Sequence, residues 1–138
     1  PLQNLLQAFE DESVQVASLM KKFTDSSLVA NPNYVKVVVD KNNDSLLFSR
    51  SIIPYHRDEN IKPDYFEHIG VYAFRKEALI QFTKWPAAQL EQIEKLEQLR
   101  YLHNGLRIRM IETDEISVKI DVPEDLAIAQ LFLQSLQP

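Results

Sequence analysis

The chain has 138 residues, a formal net charge of −5, 45% hydrophobic and 25% charged residues, and no cysteine. That is single-domain size with enough apolar content for a real core, since chains of this length remove roughly two-thirds of their unfolded surface on folding. The acidic balance without a Lys/Arg-rich tract argues against nucleic acid, the lack of cysteine excludes disulfides and thiolate chemistry, and the presence of only two glycines, Gly70 and Gly105, excludes a glycine-rich phosphate cradle.

Leu2, Leu5, Leu6 and Phe9 recur at i, i+3, i+4 and i+7, which predicts an amphipathic helix at the start. Residues 14–20 alternate like a strand with one buried face. Two β-rich runs, 35–40 and 45–49, flank the turn-prone Asn42-Asn43-Asp44 and predict a hairpin in which Asn43 or Asp44 takes the left-handed conformation. Residues 51–67, with Pro54, Pro63 and charges of both signs, read as a long surface loop and the one candidate hinge. A strand follows over 68–74 and a short helix over 77–83.

A longer helix is predicted over 89–103, with Leu90, Ile93, Leu96 and Leu99 as its core or subunit-contact stripe and Asn104-Gly105 as its end. Strands over 106–111 and 116–120 precede a last helix over 123–134, with Pro123 at its first position. Alternating strands and helices predict an α/β fold with a mixed sheet flanked by helices, as a single domain over 1–138. No apolar run approaches the ~20 residues of a membrane helix, and no signal-peptide pattern opens the chain, so a cytoplasmic location is expected.

Asp121 closes a strand just before a helix start, where open α/β sheets place ligands and where a carboxylate can hold a hard cation. On spacing alone, an acid complementing the helix dipole is the commoner explanation. Arg50, at a strand end before Ile53-Pro54, suits bidentate capture of a carboxylate or phosphate, although a plain exposed charge outweighs it on sequence alone. His68 and Tyr72 have even spacing and point to one face of a strand, and Gly70 between them permits close approach. On one helix, Glu94 and Gln98 share a face with Glu97 at its edge, whereas Glu91, Lys95 and Arg100 read as solvated. His56, His68 and His103 lack metal-ligand spacing, and Phe9, Phe23, Trp85 and Phe132 read as core.

Four blocks carry a family resemblance: V-K-V-V-V-D-K-N-N-D-S-L-L-F-S-R-S-I-I-P from Val35 to Pro54, H-I-G-V-Y-A-F-R from His68, L-E-Q-I-E-K-L-E-Q-L-R from Leu90, and I-D-V-P-E-D-L from Ile120. In order and spacing they resemble the C-terminal portion of the CMP-Kdo synthetases, which activate 3-deoxy-manno-octulosonate (Kdo) with CTP in lipopolysaccharide biosynthesis. The family's P-A-R-x-x-S-T-R-x-P-G-K-P-L phosphate-binding segment and Q-G-D-E-P turn have no match in this sequence. The resemblance implies the C-terminal half of a nucleotide-diphospho-sugar-transferase-like (Rossmann-like) fold, a homodimer, a magnesium (Mg2+) ion held by Asp121, and Kdo oriented by Arg50, His68, Tyr72, Glu97 and Gln98. It departs at Val122, where the family has Thr, and at Lys119, where it has Gly. Without the N-terminal CTP-binding segment the chain alone is expected to be inactive. Two other readings are a non-catalytic dimerising or binding module and a cytidylyltransferase for a related acidic sugar such as sialic acid.

Overall fold

The computed structural model describes residues 2–114, Pro123 and 125–135. The opening leucines form α1 (Leu2–Gln7), extended by a 3-10 turn over Ala8–Glu10. Strand β1 (Val16–Lys22) runs through the sheet interior, followed by the hairpin β2 (Lys36–Val39) and β3 (Ser45–Ser49). Next come β4 (Phe66–Phe74), α2 (Lys76–Lys84), α3 (Gln89–Glu94), α4 (Leu99–His103), β5 (Arg109–Glu112) and α5 (Asp125–Ser135).

The five strands form one sheet in the order β3-β2-β4-β1-β5. β1 lies antiparallel to β4, from Val16 opposite Phe74 to Lys22 opposite Phe66, and parallel to β5, from Ala17 opposite Arg109 to Met20 opposite Glu112. One parallel pair among antiparallel ones makes the sheet mixed, as the alternation of elements predicted. The predicted hairpin is present, and Asn43 takes the left-handed turn position at φ 62°.

The period-2 pattern of β1 decides which residues meet. Val16 and Met20 point to one face, joining Val37, Phe48 and Met110 of the sheet and Ala78, Leu96, Leu99 and Tyr101 of the helical layer. Ala17 and Leu19 point to the other face, where Leu5 and Val14 cover them. Each of the valine, leucine, methionine and phenylalanine side chains among them, fully buried, contributes about 1.5–3 kcal/mol. Opposite Ser18 and Leu19 the partner on β4 jumps from Tyr72 to Ile69, so Gly70 and Val71 bulge out. An insertion of two residues preserves parity, and His68 and Tyr72 remain on one face.

The helix expected over 89–103 is two short helices instead. α3 ends at Glu94, Lys95 turns left-handed at φ 55° and ψ 49°, and α4 starts at Leu99. The leucine stripe is not one continuous buried face: Leu96 and Leu99 are 5% and 2% exposed, but Leu90 and Ile93 are 49% and 69% exposed. The chain bends so that only the second half of the stripe enters the core. Glu94 and Gln98 therefore do not share a helical face. Glu91, expected in solvent, is buried; its carboxylate accepts from Arg100 Nε at 2.8 Å and from the Ala88 N–H at 3.0 Å, closing half of a capping box. Gly105 ends α4 as predicted, at φ 78°. The strand predicted over 106–111 is shorter, as β5, and the one predicted over 116–120 lies outside the described residues.

Candidate functional site

Four of the sequence-predicted residues converge on the helix-covered face of the sheet. His68 is buried on β4, and its Nε2 lies 2.9 Å from the Ser18 hydroxyl on β1. Its Nδ1 lies 3.3 Å from the Gln98 side-chain amide, which reaches in from the turn between α3 and α4. The Ser18 hydroxyl lies 2.9 Å from the Val71 carbonyl in the bulge, to which it donates. That ordering leaves Ser18 to accept from His68 Nε2–H, while Nδ1 accepts from Gln98.

Aromatic rings frame this relay. Phe48 and Tyr72 both meet the His68 ring edge-on, with centroids 4.9 Å and 5.4 Å away. Tyr72 stacks on Phe74, and Phe74 on Tyr101. Burial, helped by the nearby Tyr101 and the Glu97 carboxylate, holds the Tyr72 phenol well above its ordinary pKa, so it remains a hydrogen-bond donor throughout the neutral range. Glu97 is exposed beside it. Among the described residues, its two chain neighbours aside, nothing comes within 4 Å of the position a Cβ on Gly70 would take. An imidazole, a phenol, an amide and one carboxylate are groups that hydrogen-bond to hydroxyls, as a polyhydroxylated ligand requires.

Arg50 does not join this group. Its Nε donates to the Glu94 carbonyl at 2.7 Å, Nη2 to Lys95 O at 3.3 Å and Nη1 to Pro32 O at 2.9 Å. Asp121, with Val122 and Lys119, lies outside the described residues. Among the described residues no three His, Cys, Asp or Glu side chains stand together as a cation site. A cavity of about 260 Å³ opens elsewhere, between Ser13–Val16 and Gly105–Arg107. Its arginines are already paired, Arg107 with Asp40 at 2.8 Å and Arg109 with Asp44 at 2.7 Å.

Ser18 is the site residue that sequence reasoning missed. The available signal was a hydroxyl at an inward position of an otherwise apolar strand, Val16-Ala17-Ser18-Leu19-Met20.

Comparison with known proteins bears on the family of this chain. A family model described as cytidylyltransferase matches residues 1–109. The 3-deoxy-manno-octulosonate cytidylyltransferase of Flavobacterium johnsoniae is 48% identical over 99% of this chain and 57% of its own length. That of Christiangramia forsetii is 46% identical over 96% of this chain and 54% of its own. A solved structure of CMP:2-keto-3-deoxy-manno-octonic acid synthetase complexed with CTP superposes with a TM-score of 0.89 at 37% identity, covering 98% of this chain and 56% of that one. The chain thus spans about half the length of the curated relatives it matches. On the family model, the identities and the shared fold together, this chain belongs to the cytidylyltransferase family.

Proposed function

We propose that this chain is the C-terminal, sugar-binding and dimer-forming portion of a CMP-Kdo synthetase, and that CTP is held mainly by a segment outside this sequence. The observation that carries the reading is the family match, together with the placing of Tyr72 and the exposed Glu97 over the buried Gln98–His68–Ser18 relay. In the complete enzyme the anomeric hydroxyl of Kdo attacks the α-phosphorus of CTP. A bond forms from the sugar oxygen to phosphorus, the bond to the bridging oxygen of the β-phosphate breaks, and pyrophosphate leaves as the hydroxyl proton is lost. Such a displacement depends on positioning and charge neutralisation.

In this reading Tyr72 and Glu97 meet the sugar hydroxyls, while His68 and Gln98 hold the surface beneath them in register. A magnesium ion, with Asp121 as one of its ligands, would neutralise phosphate charge when bound. The described residues alone do not form that cation site. Lipopolysaccharide biosynthesis in the cytoplasm and a homodimer belong to the same proposal. No helix among the described residues is long and apolar enough to cross a membrane.

Pyrophosphate release tests it. The complete enzyme should turn over CTP with Kdo and not with N-acetylneuraminate, and the 138-residue chain by itself should release none. Activity with the sialic acid in place of Kdo, or full activity of this chain alone, refutes the assignment.

A further inference from the structure

On the face of β1 that meets the helical layer, the apolar Val16 and Met20 flank one polar side chain, Ser18. All three are at most 1% exposed, so a hydroxyl stands where the pattern of the strand asks for a hydrocarbon. That hydroxyl meets two structures at once. It lies 2.9 Å from His68 Nε2, and 2.9 and 3.2 Å from the carbonyls of Val71 and Ile69. The two carbonyls stand on either side of Gly70, where β4 slips by two residues against β1 directly after the pair Ser18–Tyr72. A bulge takes its own residues out of the ladder, and the Ser18 side chain supplies a donor to it from the neighbouring strand. One hydroxyl thus joins the segment that leads into Tyr72 to the ring of His68, and those two rings meet edge-on at 5.4 Å.

We propose that Ser18 is a positioning residue for the sugar: its hydroxyl fixes the His68 ring against the Ile69–Val71 bulge and so sets the spacing of His68, Gln98 and Tyr72. The inference deepens the sugar-binding reading above and rests on it. Gln98 reaches the other ring nitrogen, Nδ1, at 3.3 Å, so the imidazole is held from both sides and Ser18 supplies one of the two holds. Without the hydroxyl the ring can turn about its Cβ–Cγ bond, taking the Gln98 amide with it, and the bulge before Tyr72 loses its tie to β1. Threonine keeps a hydroxyl on Cβ, and valine has nearly the same shape with a methyl in its place. Comparing those two substitutions separates the hydrogen bonds from the crowding that any extra group brings to a fully buried position.

The test uses the complete enzyme and separates the KM for Kdo from that for CTP. Ser18→Val should fall below Ser18→Thr in kcat/KM for Kdo by roughly tenfold or more, towards the hundredfold that a misplacement of about 1 Å can cost. The KM for CTP should be alike in the two. Ser18→Ala, which adds no atoms, should lose activity towards Kdo as the valine variant does. Equal kcat/KM for Kdo in the threonine and valine variants overturns the proposal. So does a lowered melting temperature in Ser18→Ala with unchanged kinetics for Kdo, which would leave the hydroxyl a purely structural role.

A second readout needs no substrate: the imidazole nitrogens of His68 in a 15N-histidine spectrum, assigned by their loss in His68→Gln. The Nε2 signal should move in Ser18→Val and Ser18→Ala and stay near its wild-type position in Ser18→Thr. Unmoved His68 signals overturn the coupling whatever sugar the enzyme uses. A wild-type enzyme inactive on Kdo, with the signals moving as expected, overturns only the functional reading. Should the valine variant fail to fold, Ser18→Ala against wild type is read by the same two measurements.

Discussion

Glu91 shows how a single side chain departs from its pattern. On sequence it is one acid in a charged helical run, and such runs are usually solvated. In the fold it is buried, paired with Arg100, and bonded to the N–H that starts α3, while the Arg100 guanidinium lies 4.2 Å over the Phe82 ring. The hydrogen bonds from Arg100 hold its carboxyl below the usual carboxylate range. A carboxylate depressed on folding stabilises the native state above its unfolded pKa, and the contribution fades as pH falls through the folded value. Stability from this pair is thus complete at neutral pH and is lost only in the acid range, below about pH 4. We expect Glu91→Gln to cost about 2–4 kcal/mol at pH 7, because it strands a half-buried guanidinium. Urea titrations at pH 7 and pH 3 check this: the gap between variant and wild type should narrow on acidification. An unchanged gap would mean that the charge of Glu91 contributes nothing.

At the scale of elements, the two non-glycine residues at positive φ among the described ones, Asn43 and Lys95, mark places where the chain must turn, but just one was legible. Asn42-Asn43-Asp44 announces its turn by composition. In the fold the Asp40 carboxylate accepts the N–H groups of Asn42 and Asp44 at 2.8 and 3.0 Å, around Asn43 at φ 62°. Those bonds, more than the Arg107 charge, hold the Asp40 carboxyl below its ordinary pKa. Asn43→Val, β-branched at positive φ, should destabilise by about 1–2 kcal/mol, whereas Asn43→Gly should be neutral or slightly stabilising. Thermal melting of the two variants decides it, and a tolerated valine would contradict the strain argument. Lys95 carries no comparable local sign. Its turn closes α3 through the Leu96 N–H to Glu91 carbonyl bond at 3.2 Å, and Arg50, more than forty positions away in sequence, adds bonds to the Glu94 and Lys95 carbonyls that no window along the chain could show.

For the molecule as a whole, the described surface leaves a set of apolar side chains uncovered. Leu126, Leu131 and Leu133 of α5 are each at least half exposed, as are Leu2 and Leu6 of α1. Exposed apolar faces of this kind are expected to meet further protein, either a second copy or a segment like the part of the relatives that this chain does not match. Sedimentation velocity on the isolated chain separates the two. A dimer that persists on dilution would place much of the subunit contact within this sequence, in line with the proposed homodimer. A well-behaved monomer would rule out self-association through these leucines.

By itself the sequence determined the order of elements up to the 89–103 segment, the hairpin and its turn, the mixed α/β character, the cap at Gly105 and the shared face of His68 and Tyr72, because each follows from a period or a residue preference acting over a few neighbours. It also carried the family, through four blocks of local pattern. Only the tertiary structure decided that the 89–103 segment breaks, that Glu91 is buried, that Ser18 completes the relay under His68, and that the Arg50 guanidinium is occupied by backbone. Those outcomes depend on which groups from distant segments desolvate one another, and a hydrogen bond between Ser18 and His68, or between Arg50 and Glu94, has no signature until β1, β3, β4 and α3 are packed together.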